Sequence, residues 1–147
     1  MKFSPRSDNN AIESGLGFAP KFESDGLIVA IAQDESTGEI LMVAYMNEQS
    51  LVETLRLGEA VYYSRSRKEI WHKGLTSGHV QKVSAILTDC DQDALVLKVK
   101  QIGEGACHNG FRSCFYRTVI QPATDPVALR QSIEEKSYDP DAVYGKK

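Results

Sequence analysis

A chain of 147 residues with 41% hydrophobic and 25% charged side chains is long enough to bury a real core and ordinary enough to form one soluble domain. Its net charge of −3 argues against non-specific nucleic-acid binding, and no apolar run reaches the length of a membrane span. Residues 1–20 mix Lys2, Arg6, Asp8, Asn9, Asn10 and Glu13, so no apolar signal core is expected, and free cysteines without one point to the reducing cytoplasm.

In chain order, residues 1–20 read as a polar arm with a short helix around residues 10–14. Residues 27–32 and 40–45 are apolar runs of strand length separated by Asp34-Glu35-Ser36-Thr37-Gly38. That pattern predicts a β-hairpin with both strands largely buried. Asn47 caps a helix, with Met46 and Leu51 placed as its hydrophobic staple. Leu51, Leu55 and Val52 are expected to face inward, and Gly58 to end the helix. Residues 60–64 form a third strand, Arg67-Lys68-Glu69 a charged turn, and Ile70-Trp71-His72-Lys73 a short fourth strand. After a loop at residues 74–78, residues 80–87 alternate imperfectly and run into an aspartate cluster, and residues 95–100 form a strand with a polar outer edge. Residues 115–120 read as the last strand. Asp125 as cap and Pro126 at the first helical position predict a final helix with Leu129, Ile133 and Ala128 inward. The tail ending in Lys146-Lys147 is expected to be mobile. The order predicts an α+β fold, a strand-rich single domain with a few helices. Its divisions are a polar arm at 1–20, a central domain at 21–121, and a helix and tail at 122–147.

All three cysteines fall in two short stretches, Thr88-Asp89-Cys90-Asp91-Gln92-Asp93 and Ala106-Cys107-His108-Asn109-Gly110-Phe111-Arg112-Ser113-Cys114, at spacing C-x16-C-x6-C. Thiolates suit zinc, whereas carboxylates suit magnesium or calcium, so the clustering reads as two metal sites of different chemistry. Three cysteines leave a zinc position for water or for a group such as His108, and open zinc positions are characteristic of catalysis. If residues 88–93 are extended, Asp89, Asp91 and Asp93 share one face and Cys90 points to the other. Either the backbone bends there or Cys90 serves a zinc on another subunit. A calcium EF-hand is excluded, because Ala94 and Lys100 stand where glycine and glutamate are required. Lone cysteines are most often small buried hydrophobes, but an odd count clustered in this way also argues against a disulfide framework.

A second cluster is basic and glycine-bearing: Ser64-Arg65-Ser66-Arg67-Lys68, Trp71-His72-Lys73-Gly74 and Thr76-Ser77-Gly78-His79. Glycine amides, hydroxyls and arginine forks hold phosphate, and Trp71 offers a face for a purine. A charged strand edge is as often simply a solvated one.

These residues resemble those of the phosphoribosyl-AMP cyclohydrolase family. The resemblance covers roughly residues 22–118. It rests on Asp25-Gly26-Leu27-Ile28, Ala32-Gln33-Asp34, Thr37-Gly38-Glu39, Ala44-Tyr45-Met46-Asn47, Ser64-Arg65-Ser66-Arg67, Trp71-x-Lys73-Gly74, Thr76-Ser77-Gly78-His79, Asp89-Cys90-Asp91-x-Asp93 and Cys107-His108-x-Gly110-x-x-Ser113-Cys114-Phe115. It implies hydrolytic opening of the N1–C6 bond of the adenine ring of 1-(5-phosphoribosyl)-AMP by zinc-activated water, a step of histidine biosynthesis. It also implies an intertwined homodimer with one Zn2+ and one Mg2+ per subunit. Zinc would be held by Cys107 and Cys114 with Cys90 of the partner subunit, and magnesium by Asp89, Asp91 and Asp93. His108, then His72, are the candidates for acid–base work. Arg65, Arg67, Trp71, Lys73, Thr76, Ser77 and Gly78 are the candidates for binding the small-molecule substrate. Neither a nucleic acid nor a membrane is an expected partner.

Two features depart from the pattern: Leu75 stands where an acidic residue is expected, and Gly103-Glu104-Gly105-Ala106 is an altered loop. About two dozen residues follow the last motif, too few for a fused pyrophosphohydrolase domain, so a monofunctional enzyme is expected. The rivals are a zinc nucleobase deaminase and a non-enzymatic, zinc-stabilised nucleotide-binding module. The deaminase would need H-x-E and P-C-x-x-C motifs, and this sequence has neither.

Overall fold

The computed structural model describes residues 1–144. The expected mobile end at Lys146-Lys147 lies outside the described residues. A four-stranded mixed sheet carries the core. It contains β1 (Ile28–Asp34), β2 (Ile40–Met46), β5 (Gln81–Thr88) and β6 (Ala94–Gln101), in the order β2-β1-β6-β5. The β1–β2 hairpin is antiparallel, β1 and β6 are parallel from Val29↔Ala94 to Asp34↔Val99, and β5 and β6 are antiparallel. The apolar run at 27–32 and the strand at 95–100 therefore lie side by side at the centre. Ala30, Ala32, Leu95, Leu97 and Val99 are fully buried there. Burial of each leucine side chain contributes about 1.5–3 kcal/mol. The fold is α+β, as the element order predicts.

The hairpin at residues 27–45 forms as expected, but β2 is only half buried: Ile40 and Val43 are exposed at 48% and 43%. The pairing steps from Ala32↔Met42 to Gln33↔Ile40, so Leu41 is an extra residue in β2, and this bulge turns both Leu41 and Met42 inward and leaves Ile40 and Val43 on the outer face. The helix capped by Asn47 is α2 (Glu48–Leu57), with a reciprocal capping box between Asn47 and Ser50 and a left-handed Gly58 at its end. Its buried stripe differs from the expected one. Ser50, Leu51 and Thr54 face inward, whereas Leu55 is 39% exposed. Two polar residues can be buried because their hydroxyls are satisfied. Thr54 Oγ1 accepts from the Val61 amide at 2.9 Å and donates to a carbonyl of Ser50 or Val61.

The β3 (Val61–Ser64) and β4 (Glu69–His72) hairpin forms a second small sheet, packed through β3 on β2 and α2. Tyr62 donates to Gln81 Oε1 at 2.6 Å, and Gln81 Nε2 donates to Gln101 Oε1 at 2.9 Å, tying this hairpin to the main sheet through buried polar atoms.

Both ends of the chain correct the sequence reading. The arm does contain α1 (Asn9–Ser14), capped by Asp8, but it is not a free polar segment. Ala19 is 3% exposed, Phe3 packs edge-on to Phe18, and the Ser4 amide donates to the Phe18 carbonyl at 2.7 Å. The helix expected from Asp125 does not form. Residues Leu129–Gln131 are β8, paired antiparallel with β7 (Arg117–Val119), which is also shorter than the strand expected at 115–120. The i, i+4 spacing of Leu129 and Ile133 suggested a helical face, yet Leu129 is 51% exposed and only Ile133 is buried. Strand pairing and the Tyr116 carbonyl, which accepts the Ser132 and Ile133 amides at 2.8 and 3.3 Å, take the backbone hydrogen bonds that a helix would have used. The helix near this end is α3 (Pro140–Tyr144).

Candidate active site

The aspartate stretch bends. β5 stops at Thr88, residues 89–93 form a turn, and Gln92 at its apex adopts a φ of 58°. The turn is held from inside: the buried Gln92 side chain accepts the Ala19 amide at 2.8 Å and donates to the Ile12 carbonyl at 3.0 Å. Arg6 donates to the Asp91 carbonyl at 3.0 Å and to the Ala19 carbonyl at 2.6 Å. The N-terminal arm is thus the scaffold of this turn.

Bending brings the three carboxylates together, with one oxygen from each of Asp89, Asp91 and Asp93 within 4.8 Å of the others. Asp93 is pushed up to about 6 by its hydrogen bonds to Asp89 and Asp91. Desolvation works against Asp89, but hydrogen bonds from Asp93, from the Asp93 and Ala94 amides and from Asp91 bring it below the usual carboxylate range. Three like charges at this separation repel, so as the pH falls toward 6 the trio takes up a shared proton. A divalent cation would take that proton's place, and an all-oxygen set fits magnesium.

Cys90 does not join the other cysteines. Among the described residues, only the aspartates bring three metal-ligating side chains within such a distance. Cys90 is exposed and lines a hollow of about 540 Å³ with Ile12, Leu16, Phe18, Leu55, Ile86 and Asp89. Cys107 and Cys114 belong to a different part of the surface. Cys107 is buried, and the Cys114 thiol is pushed up to about 12 by burial and by the neighbouring Cys107. Ser113 sets this loop against β2: its hydroxyl donates to the Ile40 carbonyl at 2.7 Å and accepts the Phe115 amide at 2.9 Å. Two cysteine side chains within hydrogen-bonding reach of each other are a fit for a soft cation, which binds the thiolate form.

Beside this pair lies a cleft of about 600 Å³. Its walls bring together Arg67, Trp71, His72, Lys73, Thr76, Ser77, His108 and Cys114 from the expected set. The β3–β4 hairpin supplies Trp71 and His72, and the turn after it supplies Thr76 and Ser77. Gly74, at φ 82°, shapes that turn; a Cβ there would stand 2.2 Å from the Val80 nitrogen. Gly78 closes the turn through its amide to the Gly74 carbonyl at 2.8 Å and is not part of the cleft wall. Arg65 stacks over Tyr45 at 4.1 Å in an adjoining depression that shares Val43, Arg67 and Trp71 with the cleft.

Lys73 is nearly fully buried. Its Nζ donates to the Ala106 carbonyl at 2.9 Å, and burial pushes its ammonium down, against the pull of Tyr144 and the two thiols. It forms part of the floor rather than a free phosphate hand. His72 Nε2 lies 2.9 Å from Glu59 Oε1, whereas His108 is exposed in the cleft. Glu59 and Tyr144 were invisible to motif reading, since neither sits in a recognisable local pattern.

A cleft that gathers basic, aromatic and hydroxyl side chains with Cys114 in its wall has the make-up of a small-molecule enzyme site. Residues 42–116 match the family described as phosphoribosyl-AMP cyclohydrolase. The chain is 50% identical to a protein of that name from Rhodopseudomonas palustris strain TIE-1, over 92% of this chain and 89% of the relative. It is 48% identical to one from R. palustris strain HaA2 and 50% identical to one from Rhizobium etli strain CIAT 652, each over 97% of this chain and 95% of the relative. The chain belongs to the phosphoribosyl-AMP cyclohydrolase family, a family of hydrolases.

Proposed function

We propose that this chain opens the adenine ring of 1-(5-phosphoribosyl)-AMP in histidine biosynthesis, with residues 21–121 as the domain that carries the activity. The observation that carries this reading is the single cleft joining Arg67, Trp71, Thr76 and Ser77 to Cys114 and His108. Arg67 and the Thr76-Ser77 hydroxyls bind a phosphate, Arg65 reaches the second from the adjoining depression, and Trp71 faces the purine. Water adds at C6, the N1–C6 bond breaks, and N1 takes up a proton, leaving a carboxamide on the imidazole. His108 delivers that proton; His72 is the weaker candidate because its Nε2 is already engaged by Glu59.

Cys107 and Cys114, with Cys90 of the partner subunit, would hold zinc, which when bound brings a water pKa to about 7. Asp89, Asp91 and Asp93 would hold magnesium, which neutralises phosphate charge. The homodimer is supported by Cys90 lying apart from the other thiols and by exposed apolar groups lining its hollow: Leu16 and Leu55 are exposed at 103% and 39%. The cytoplasm is the compartment proposed, since all three cysteines are free; no helix among the described residues is long and apolar enough to cross a membrane. Incubation of the pure zinc-loaded protein with phosphoribosyl-AMP should show ring opening by ultraviolet absorbance. A spectrum unchanged with metal content verified would refute the assignment.

A further inference from the structure

The family model matches residues 42–116, and residues 117–144 beyond that stretch fold back onto the cysteine loop. The Ser137 and Tyr138 amides donate to the Gly110 carbonyl at 2.7 and 3.2 Å. Tyr138, 8% exposed, donates its hydroxyl to the Cys107 carbonyl and sets its ring edge-on to His79 at 4.9 Å. Ile133 packs with Cys107 and Phe111. Gly110, at φ 96°, is what allows so close an approach: a Cβ there would stand 2.6 Å from the Tyr138 carbonyl oxygen. From this anchor α3 carries Tyr144 to the cleft wall, beside Lys73, His108 and Cys114, with 45% of its surface still exposed.

We propose that residues 132–144 are a strap belonging to the active site, in which Tyr138 positions the loop bearing Cys107 and His108 and Tyr144 contacts the bound nucleotide through its ring face. The proposal rests on the cyclohydrolase reading above. A tyrosine at a cleft mouth presents a broad apolar face at little cost in rotamer freedom, and an aromatic face accepts a heterocyclic base or ribose without demanding a particular donor pattern. A tail that merely covered the loop would have no need to return an aromatic side chain to the cleft.

Steady-state kinetics on the full-length, metal-loaded protein with phosphoribosyl-AMP separate the contact from a packing role. Tyr144→Ala is expected to raise KM about tenfold, within the range of one lost base stack, while kcat stays within about twofold. Tyr144→Phe is expected to keep KM within about twofold of wild type. Tyr138→Phe keeps the ring but removes its hydrogen bond to the Cys107 carbonyl. It is expected to weaken zinc several-fold in competition with a chromogenic chelator, a readout independent of turnover. An active wild type whose KM does not respond to Tyr144→Ala, or whose KM rises as much with phenylalanine as with alanine, overturns the contact. Unchanged zinc affinity in Tyr138→Phe overturns the positioning role. An inactive wild type would instead contradict the cyclohydrolase reading, and the Tyr144 contact with it.

Discussion

The turn at residues 89–93 is held by the N-terminal arm and presents its carboxylates to solvent, whereas the loop at residues 107–114 is held by the C-terminal segment and closes over its first thiol. The oxygen set is complete within one chain, since all three carboxylates converge. The sulfur set is not: Cys107 and Cys114 face each other, and Cys90 opens into a hollow that shares no lining residue with the cleft. A backbone bend allows the turn to gather every second side chain, and the intervening cysteine is left pointing elsewhere. On the proposed reading, the difference teaches that one chain would build a magnesium site outright and contribute parts to a zinc site shared with a second copy.

The comparison breaks most sharply at the thiols. Cys107→Ser is expected to lose zinc and to fall below about one hundredth of wild-type turnover, since even outer-shell partners of a metal are worth about 10–100-fold. Metal analysis alongside turnover checks this, and full activity with no zinc or substituting metal would refute it. Asp91→Asn is expected to raise the magnesium half-saturation by about tenfold while zinc stays near one per chain, because hard and soft ligands are separate sets. Loss of zinc in that variant would mean one merged site.

Acid sharpens the same contrast. Asp93 holds its proton up to about 6, so below that pH a proton competes with the cation for the trio, and above it the carboxylates are free. Apparent magnesium affinity should therefore be level above pH 7 and fall by about tenfold per unit below pH 6, read by titration calorimetry. A flat profile to pH 5 would show that the trio does not bind the metal. The smallest effect is expected from Arg6→Ala, which removes a hold on the Asp91 and Ala19 carbonyls. Magnesium half-saturation should rise about twofold, in keeping with about 0.5–1.5 kcal/mol for a hydrogen bond of which only part is felt at the metal. No change would mean the arm covers the turn without positioning it.

Much of this was legible in the chain. The runs at 27–32 and 40–45 declared a hairpin because continuous apolar stretches bounded by turn residues have few alternatives, and the alternation at 95–100 declared a strand with one polar edge. Asn47 and Gly58 marked both ends of α2 through local capping chemistry. The Trp71–Ser77 segment and the stretch with His108 stood out as two separate motifs, and that they line one cleft is seen only in the fold. What stayed hidden was non-local. Whether residues 88–93 run straight or bend depends on Gln92 being gripped by Ala19 and Ile12, more than seventy positions away. Residues 125–133 carry helix signals that lose to pairing with Arg117–Val119 and to the Tyr116 carbonyl. Glu59 beside His72 and Tyr144 beside Lys73 are meetings that only the folded chain arranges.

On the proposed reading Cys90 completes the zinc site of a second copy, and subunit exchange tests this most directly. Cys90→Ala and Cys107→Ala are each expected to be inactive alone. Unfolded and refolded together, about half of the dimers should be mixed, and each mixed dimer has one site with both its intact Cys90 and its intact Cys107, drawn from different chains. Roughly a quarter of wild-type activity should return. If Cys90 serves zinc within its own chain, every site in the mixture lacks a ligand, and no recovery with mixed dimers demonstrably present would contradict the shared site.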